Sequence, residues 1–81
     1  MHVTMTSAQL RAARGLVNLT TRDLAEKTGV HRNTISAFES GKSAPNSATR
    51  QALANALEAA GVIFVEENGE GPGVRLRKNS G

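Results

Sequence analysis

The sequence predicts a mainly α-helical fold, four helices followed by a short C-terminal β-hairpin or strand pair, and three observations predict it. Apolar residues recur at helical spacing in four runs between Leu10 and Ala60, each preceded by a residue able to cap a helix. Asn18, Gly29, Gly41 and Gly61 stand where those runs stop, as residues that take a left-handed backbone at low cost do. Beyond Gly61 the period changes: Val62-Ile63-Phe64-Val65 is β-branched and aromatic, and Val74 and Leu76 alternate with Arg75 and Arg77.

Each element has its own signal. Residues 1–5 read as a loose arm. Thr6-Ser7-Ala8-Gln9 is a capping box, with Thr6 as N-cap and Gln9 reaching back to it. The first helix then runs to about Val17, with Leu10, Ala13 and Val17 on one face. Thr20 caps a second helix over about residues 21–27, and Asp23 completes a variant box with an acid near the positive end of the helix dipole. Thr28-Gly29-Val30 is too short for anything but a sharp corner, and a third helix starts at about Arg32 and ends near Ser40-Gly41. Residues 42–46, containing Pro45, form a loop. Ser47 can cap a fourth helix, about 48–60, with Leu53, Ala56, Leu57 and Ala60 as its apolar face. The tail, residues 61–81, is a strand pair around a Gly-rich turn. An isolated hairpin is marginal in water, so these strands need a further partner.

At 81 residues the chain is one small domain near the lower limit for a self-sufficient core. It has no cysteine, so neither a disulfide framework nor a thiolate metal site can add stability, and oligomerisation is the remaining source. No run approaches 18 apolar residues and no basic-then-apolar leader opens the chain, which points to a cytoplasmic protein without a membrane partner. With no Trp or Tyr and only Phe38 and Phe64, a base-stacking single-strand binder is disfavoured. The net charge is +3, unevenly spread. Residues 1–50 hold seven Arg/Lys against three acids, +4, and residues 51–81 hold three against four, −1. Positive charge travels with the helices, as a polyanion-binding surface requires, although any surface of this size carries scattered lysines and arginines.

The densest signal lies in residues 20–40. Leu24, Ala25, Val30, Ile35 and Phe38 are apolar at spacings that let two crossed helices share one core, while His31, Arg32, Asn33, Thr34 and Ser36 gather at the front of the second. That describes a helix-turn-helix offering a polar helix to the DNA major groove. The segment resembles the helix-turn-helix of the Cro/C1-type repressor, or XRE, family. The resemblance extends upstream through Gln9-Leu10-Arg11-Ala12-Ala13-Arg14 and Leu19-Thr20, and downstream through Phe38-Glu39-Ser40-Gly41-Lys42 and Pro45, covering about residues 6–60. It implies a four-helix lambda-repressor-like domain. Two positions depart from the pattern: Thr21 stands where the family commonly has Gln, and His31 where it has Ser or Thr.

Arg32 and Asn33 are the leading candidates for base contact, since Arg can pair with guanine O6 and N7 and Asn with adenine N6 and N7. Ser36 faces the same way, and Ala37 can meet a thymine methyl. The bland alternative is an exposed helix start, which favours polar residues in any case. Thr34 lies nearer the backbone side, for a phosphate or for packing against the second helix. His31 reads as an N-cap, or as a phosphate contact that strengthens on protonation. The family resemblance points the start of the second helix at the DNA backbone, where Thr20, Thr21 and Arg22 would bind phosphate. Lys42 and Ser43 would hold a second phosphate; Arg11 and Arg50 are weaker candidates, equally readable as solvated charges. The resemblance also implies an ion pair between Arg14 and Glu39, joining the first helix to the end of the third.

The implied function is a sequence-specific double-stranded DNA-binding transcriptional regulator, a repressor acting as a homodimer on an inverted-repeat operator in a prokaryotic or phage setting. Val62, Ile63, Phe64, Val65, Val74 and Leu76 would supply the dimer contact. The alternative is an antitoxin or other protein-interaction module that binds a toxin or another partner through the same strands while repressing its own promoter. An enzyme is disfavoured, because no nucleophile–base set, phosphate-cradling Gly-rich loop or metal-ligand spacing is present, and no cofactor is called for. At this length a separate effector-binding domain is not expected.

Overall fold

Side-chain caps decide where the helices of the computed structural model begin. It describes residues 5–67 and 69–78. Helix α1 (Ser7–Val17) is opened by the Thr6–Gln9 box, in which the Gln9 N–H donates to Thr6 Oγ1 at 3.1 Å and the Thr6 N–H donates to Gln9 Oε1 at 2.9 Å. Helix α2 (Thr21–Thr28) has the matching box between Thr20 and Asp23, at 2.9 and 3.0 Å. Helix α3 (Arg32–Glu39) is capped by the His31 ring, and α4 (Ser47–Ala59) by Asn46, whose Oδ1 accepts the Thr49 N–H at 2.8 Å. The sequence had pointed to Ser47 for that last role. Asn46 takes it because its backbone is extended, which aims the amide oxygen at the third helical N–H, whereas Ser47 is already helical.

The helix ends follow the glycines and one asparagine. Asn18 closes α1 with φ 57° and ψ 37°, and Gly29 closes α2 with φ 78°. A Cβ on Gly29 would meet nothing within 4 Å, so the corner needs glycine for its backbone angle and not for space. Thr28 completes the corner: its hydroxyl donates to the Leu24 carbonyl at 2.7 Å and accepts the Val30 N–H at 3.1 Å.

All four helices and β1 contribute to one core: Met5, Leu10, Ala13, Leu24, Ile35, Phe38, Leu53, Ala54, Leu57 and Val62. Two sequence expectations change here. The loose arm was to include Met5; that side chain is 1 % exposed and belongs to the core, while residues 1–4 of the expected arm lie outside the described residues. On α4 the innermost face is Leu53, Ala54 and Leu57, with Ala56 only partly covered and Ala60 exposed. The helix stops at Ala59 and the chain turns at Gly61 (φ 113°), so Ala60 is carried out to solvent and Val62 is turned in.

Strands β1 (Val62–Val65) and β2 (Gly73–Leu76) form a two-stranded antiparallel sheet, pairing Val62 with Leu76, Ile63 with Arg75, Phe64 with Val74 and Val65 with Gly73. The Arg77 N–H extends the ladder to the Gly61 carbonyl at 2.6 Å. The hairpin rests on α1 and α4, and Gln9 ties it down: Nε2 donates to the Gly73 carbonyl at 2.9 Å and to that of Val65 at 3.2 Å. That packing is the partner the strands needed. Parts of the tail, residues 68 and 79–81, lie outside the described residues.

The exchange of caps on α4 is directly measurable. Asn46→Ala is expected to lower the unfolding free energy by about 1 kcal/mol in chemical denaturation. Ser47→Ala should stay within about 0.5 kcal/mol of the parent.

Candidate nucleic-acid interface

The corner at Gly29 turns the start of α3 outward. Arg32, Asn33, Thr34 and Ser36 are all exposed, while Ile35 and Phe38 of the same helix are buried. Ala37 is partly covered. Asn33, Ser36 and Ala37 share one shallow open groove with Ser40 and Lys42. The fold thus brings three of the four base-contact candidates onto one strip, with a lysine at its far end. Arg32 stands outside the groove, one residue before Asn33. Ser40 was not singled out from the sequence, although its spacing from Asn33 and Ser36, seven and four residues, puts it on the same helical strip. Its hydroxyl donates to the Ala37 carbonyl at 3.2 Å.

His31 meets α3 through Nδ1, which accepts the Asn33 N–H at 3.0 Å. An imidazole nitrogen that accepts carries no proton, so the neutral ring presents Nε2–H as its donor. Protonation would add charge but place a proton on the nitrogen that caps the helix. A phosphate contact by His31 that strengthens on protonation would therefore weaken the start of α3.

The start of α2 is equally open. Thr20 and Arg22 are exposed, Thr21 is half-buried, and Arg22 approaches Glu26 only loosely, at 3.9 Å with both side chains more than 70 % exposed. Such a pair holds little of the arginine's charge. Lys42 and Ser43 are exposed beyond α3, but both of their N–H groups turn back to the Ala37 carbonyl, at 2.9 and 3.3 Å. Any ligand there is left with their side chains alone.

Arg14 and Glu39 form the ion pair that the family resemblance implied. Arg14 Nε meets Glu39 Oε2 at 2.5 Å and Nη2 meets Oε1 at 2.7 Å, a bidentate fork between α1 and the end of α3. Nη1 donates to the Leu19 carbonyl at 2.9 Å. The Glu39 side chain is 10 % exposed and that of Arg14 23 %. The hydrogen bond to Glu39 raises the Arg14 pKa above its ordinary value despite partial burial. Arg14 is thereby withdrawn from the positive surface. Arg50 is also engaged, its guanidinium lying 5.4 Å from the centre of the Phe38 ring. Arg32 and Lys42 form no ion pair among the described residues.

The proposed dimer residues divide sharply. Val62 is fully buried in its own core, so it is unavailable to a second molecule; Phe64 and Val74 are half-buried against the same core. Val65 is half-buried, while Ile63 at 36 % and Leu76 at 52 % remain exposed. Among the described residues no three His, Asp or Glu side chains gather as a metal site would require, and no helix is long and apolar enough to cross a membrane.

A short corner, a polar outward helix and a second helix with an exposed start define a helix-turn-helix module. Comparison with known families agrees: the helix-turn-helix model matches residues 10–59. The chain belongs to the Cro/C1-type helix-turn-helix, or XRE, family, a family of DNA-binding regulators. A search among curated proteins finds no match.

Two measurements follow from this geometry. Glu39→Ala leaves Arg14 partly covered with only the Leu19 carbonyl, and should cost about 2–3 kcal/mol in chemical denaturation. Asp23 gives the second. The Thr20 N–H donates to its carboxylate and, with the Thr20 hydroxyl, holds its pKa below the ordinary 3.8. Since folding lowers that pKa, the ionised group stabilises the fold fully above about pH 5, and the contribution is lost as pH falls below 3.8 through the depressed value. The stability difference between the parent and Asp23→Asn should be constant near neutrality and shrink as unfolding is followed from about pH 4 to pH 2.

Proposed function

We propose that this protein is a sequence-specific transcriptional regulator that binds an inverted-repeat operator as a homodimer and represses by occupying it. The observation that carries the reading is the groove that Asn33, Ser36 and Ala37 of α3 share with Ser40 and Lys42 just beyond it, with Arg32 exposed one residue before Asn33. Arg32 and Asn33 read base edges, with Ser36 and Ala37 refining the choice. Thr20, Thr21, Arg22, Thr34 and the side chains of Lys42 and Ser43 grip the phosphates on either side, joined by Nε2 of His31. Such a protein works in the cytoplasm, where its operator is.

The dimer contact is the hairpin. Both strands of a two-stranded sheet are edge strands, and Ile63 and Leu76 are the large hydrophobic residues it leaves exposed. Half-sites of a two-fold operator lie about 34 Å apart, one turn of duplex, a spacing comparable to the longer dimensions of the molecule, 33 and 32 Å.

Selection of bound sequences from a random duplex pool tests the reading, and an inverted repeat is the expected product. A pool that yields no consensus would overturn sequence specificity. On the selected duplex, Arg32→Ala should weaken binding by roughly tenfold or more and relax preference at one position per half-site, with stability unchanged. Leu76→Lys and Ile63→Lys, which spare the core, should shift the protein to monomer in sedimentation; a mixed complex with another protein would instead favour the antitoxin reading.

A further inference from the structure

The end of α3 is held by a second arginine that makes no part of the proposed DNA contact. Four carbonyls at a helix C-terminus have no partner inside the helix and must find one elsewhere. In α3 the Ser36 carbonyl accepts the Ser40 N–H at 3.0 Å, the Phe38 carbonyl accepts the Gly41 N–H at 3.1 Å, and the Ala37 carbonyl takes both Lys42 and Ser43. Because those last two N–H groups turn back to Ala37, neither reaches Glu39. The Glu39 carbonyl is met by Nη1 of Arg11, one helical turn before Arg14 on α1. Arg14 thus grips the side chain of Glu39 while Arg11 grips its backbone. A cation there also faces the negative end of the helix dipole.

We propose that Arg11 is a positioning residue for DNA recognition: it fixes the backbone at the end of α3 and so sets where Ser40 and Lys42 stand in the groove they share with Asn33. The inference rests on the DNA-binding reading. It assigns Arg11 a role different from phosphate contact and from free surface charge. The guanidinium is committed to a carbonyl that no backbone N–H among the described residues meets, at the base of the strip that meets the bases. Its loss frees the last turn of α3 and the loop after it, while the Arg14–Glu39 fork still holds the helix to the domain.

The test compares the parent with Arg11→Ala and, as a variant that keeps side-chain bulk should alanine unfold the domain, Arg11→Met. Two quantities are read: amide hydrogen exchange at residues 40–43 without DNA, and affinity for the parent's selected duplex across a range of salt concentrations. Exchange at residues 40–43 should accelerate by roughly fivefold, as for a lost helix cap. Affinity should fall by a similar factor, with the slope of log affinity against log salt unchanged. A slope reduced by roughly 0.9 with exchange unaltered would make Arg11 a phosphate ligand and overturn the proposal. No change in either quantity would reduce it to a solvated charge and overturn it as well. Failure of the parent to select any duplex removes the DNA-binding reading itself, a result distinct from both, and overturns the recognition role even where exchange supports the cap.

Discussion

The fork between Arg14 and Glu39 is the constraint on which the outward helix depends. An eight-residue helix has little stability of its own, and α3 ends in a loop that offers its last carbonyl no backbone donor. Ile35 and Phe38 anchor it to the core by burial, which sets its inward face. A bidentate pair is directional, so it pins the end of the helix against α1. Because the pair is mostly covered, salt screens it less than it screens the exposed arginines around it. The same arginine reaches the Leu19 carbonyl, so the link between α1 and α2 is tied into the junction.

Much of this was legible in the sequence because local chemistry and tertiary demand agree. Thr6 with Gln9, Thr20 with Asp23, and the stops at Asn18 and Gly29 each have a mechanism that acts within a few residues, and each is found as read. The corner and the exposure of Arg32 and Asn33 follow from the same local logic. The Arg14–Glu39 pair is different: its partners are 25 residues apart, and only the family resemblance pointed to it.

What was not legible depends on competition or distance. Asn46 and Ser47 are both good caps, and the choice rests on the extended backbone of Asn46. Met5 looks like a dispensable terminus, yet its side chain is buried in the shared core. Val62 reads as one more residue of an apolar strand, yet strand alternation turns it into the core and leaves Ile63 outside. Ser40 sits on a helical strip that its neighbours define, and Arg11 binds a carbonyl, which no residue pattern reveals. The candidate contact surface was therefore readable in its polar composition but not in its supports.

Gln9 carries one more consequence. Its amide spans the mouth of the hairpin, where Val65 faces Gly73, and its backbone belongs to the first turn of α1. Helix α1 also carries the arginines that hold α3. Hairpin and α3 are therefore mounted on a single rod. In the proposed dimer, two such rods joined at their hairpins would make a caliper with a stiff jaw width. Such a caliper would penalise operators lengthened or shortened by even one base pair, measuring the distance between half-sites as strictly as the bases within them.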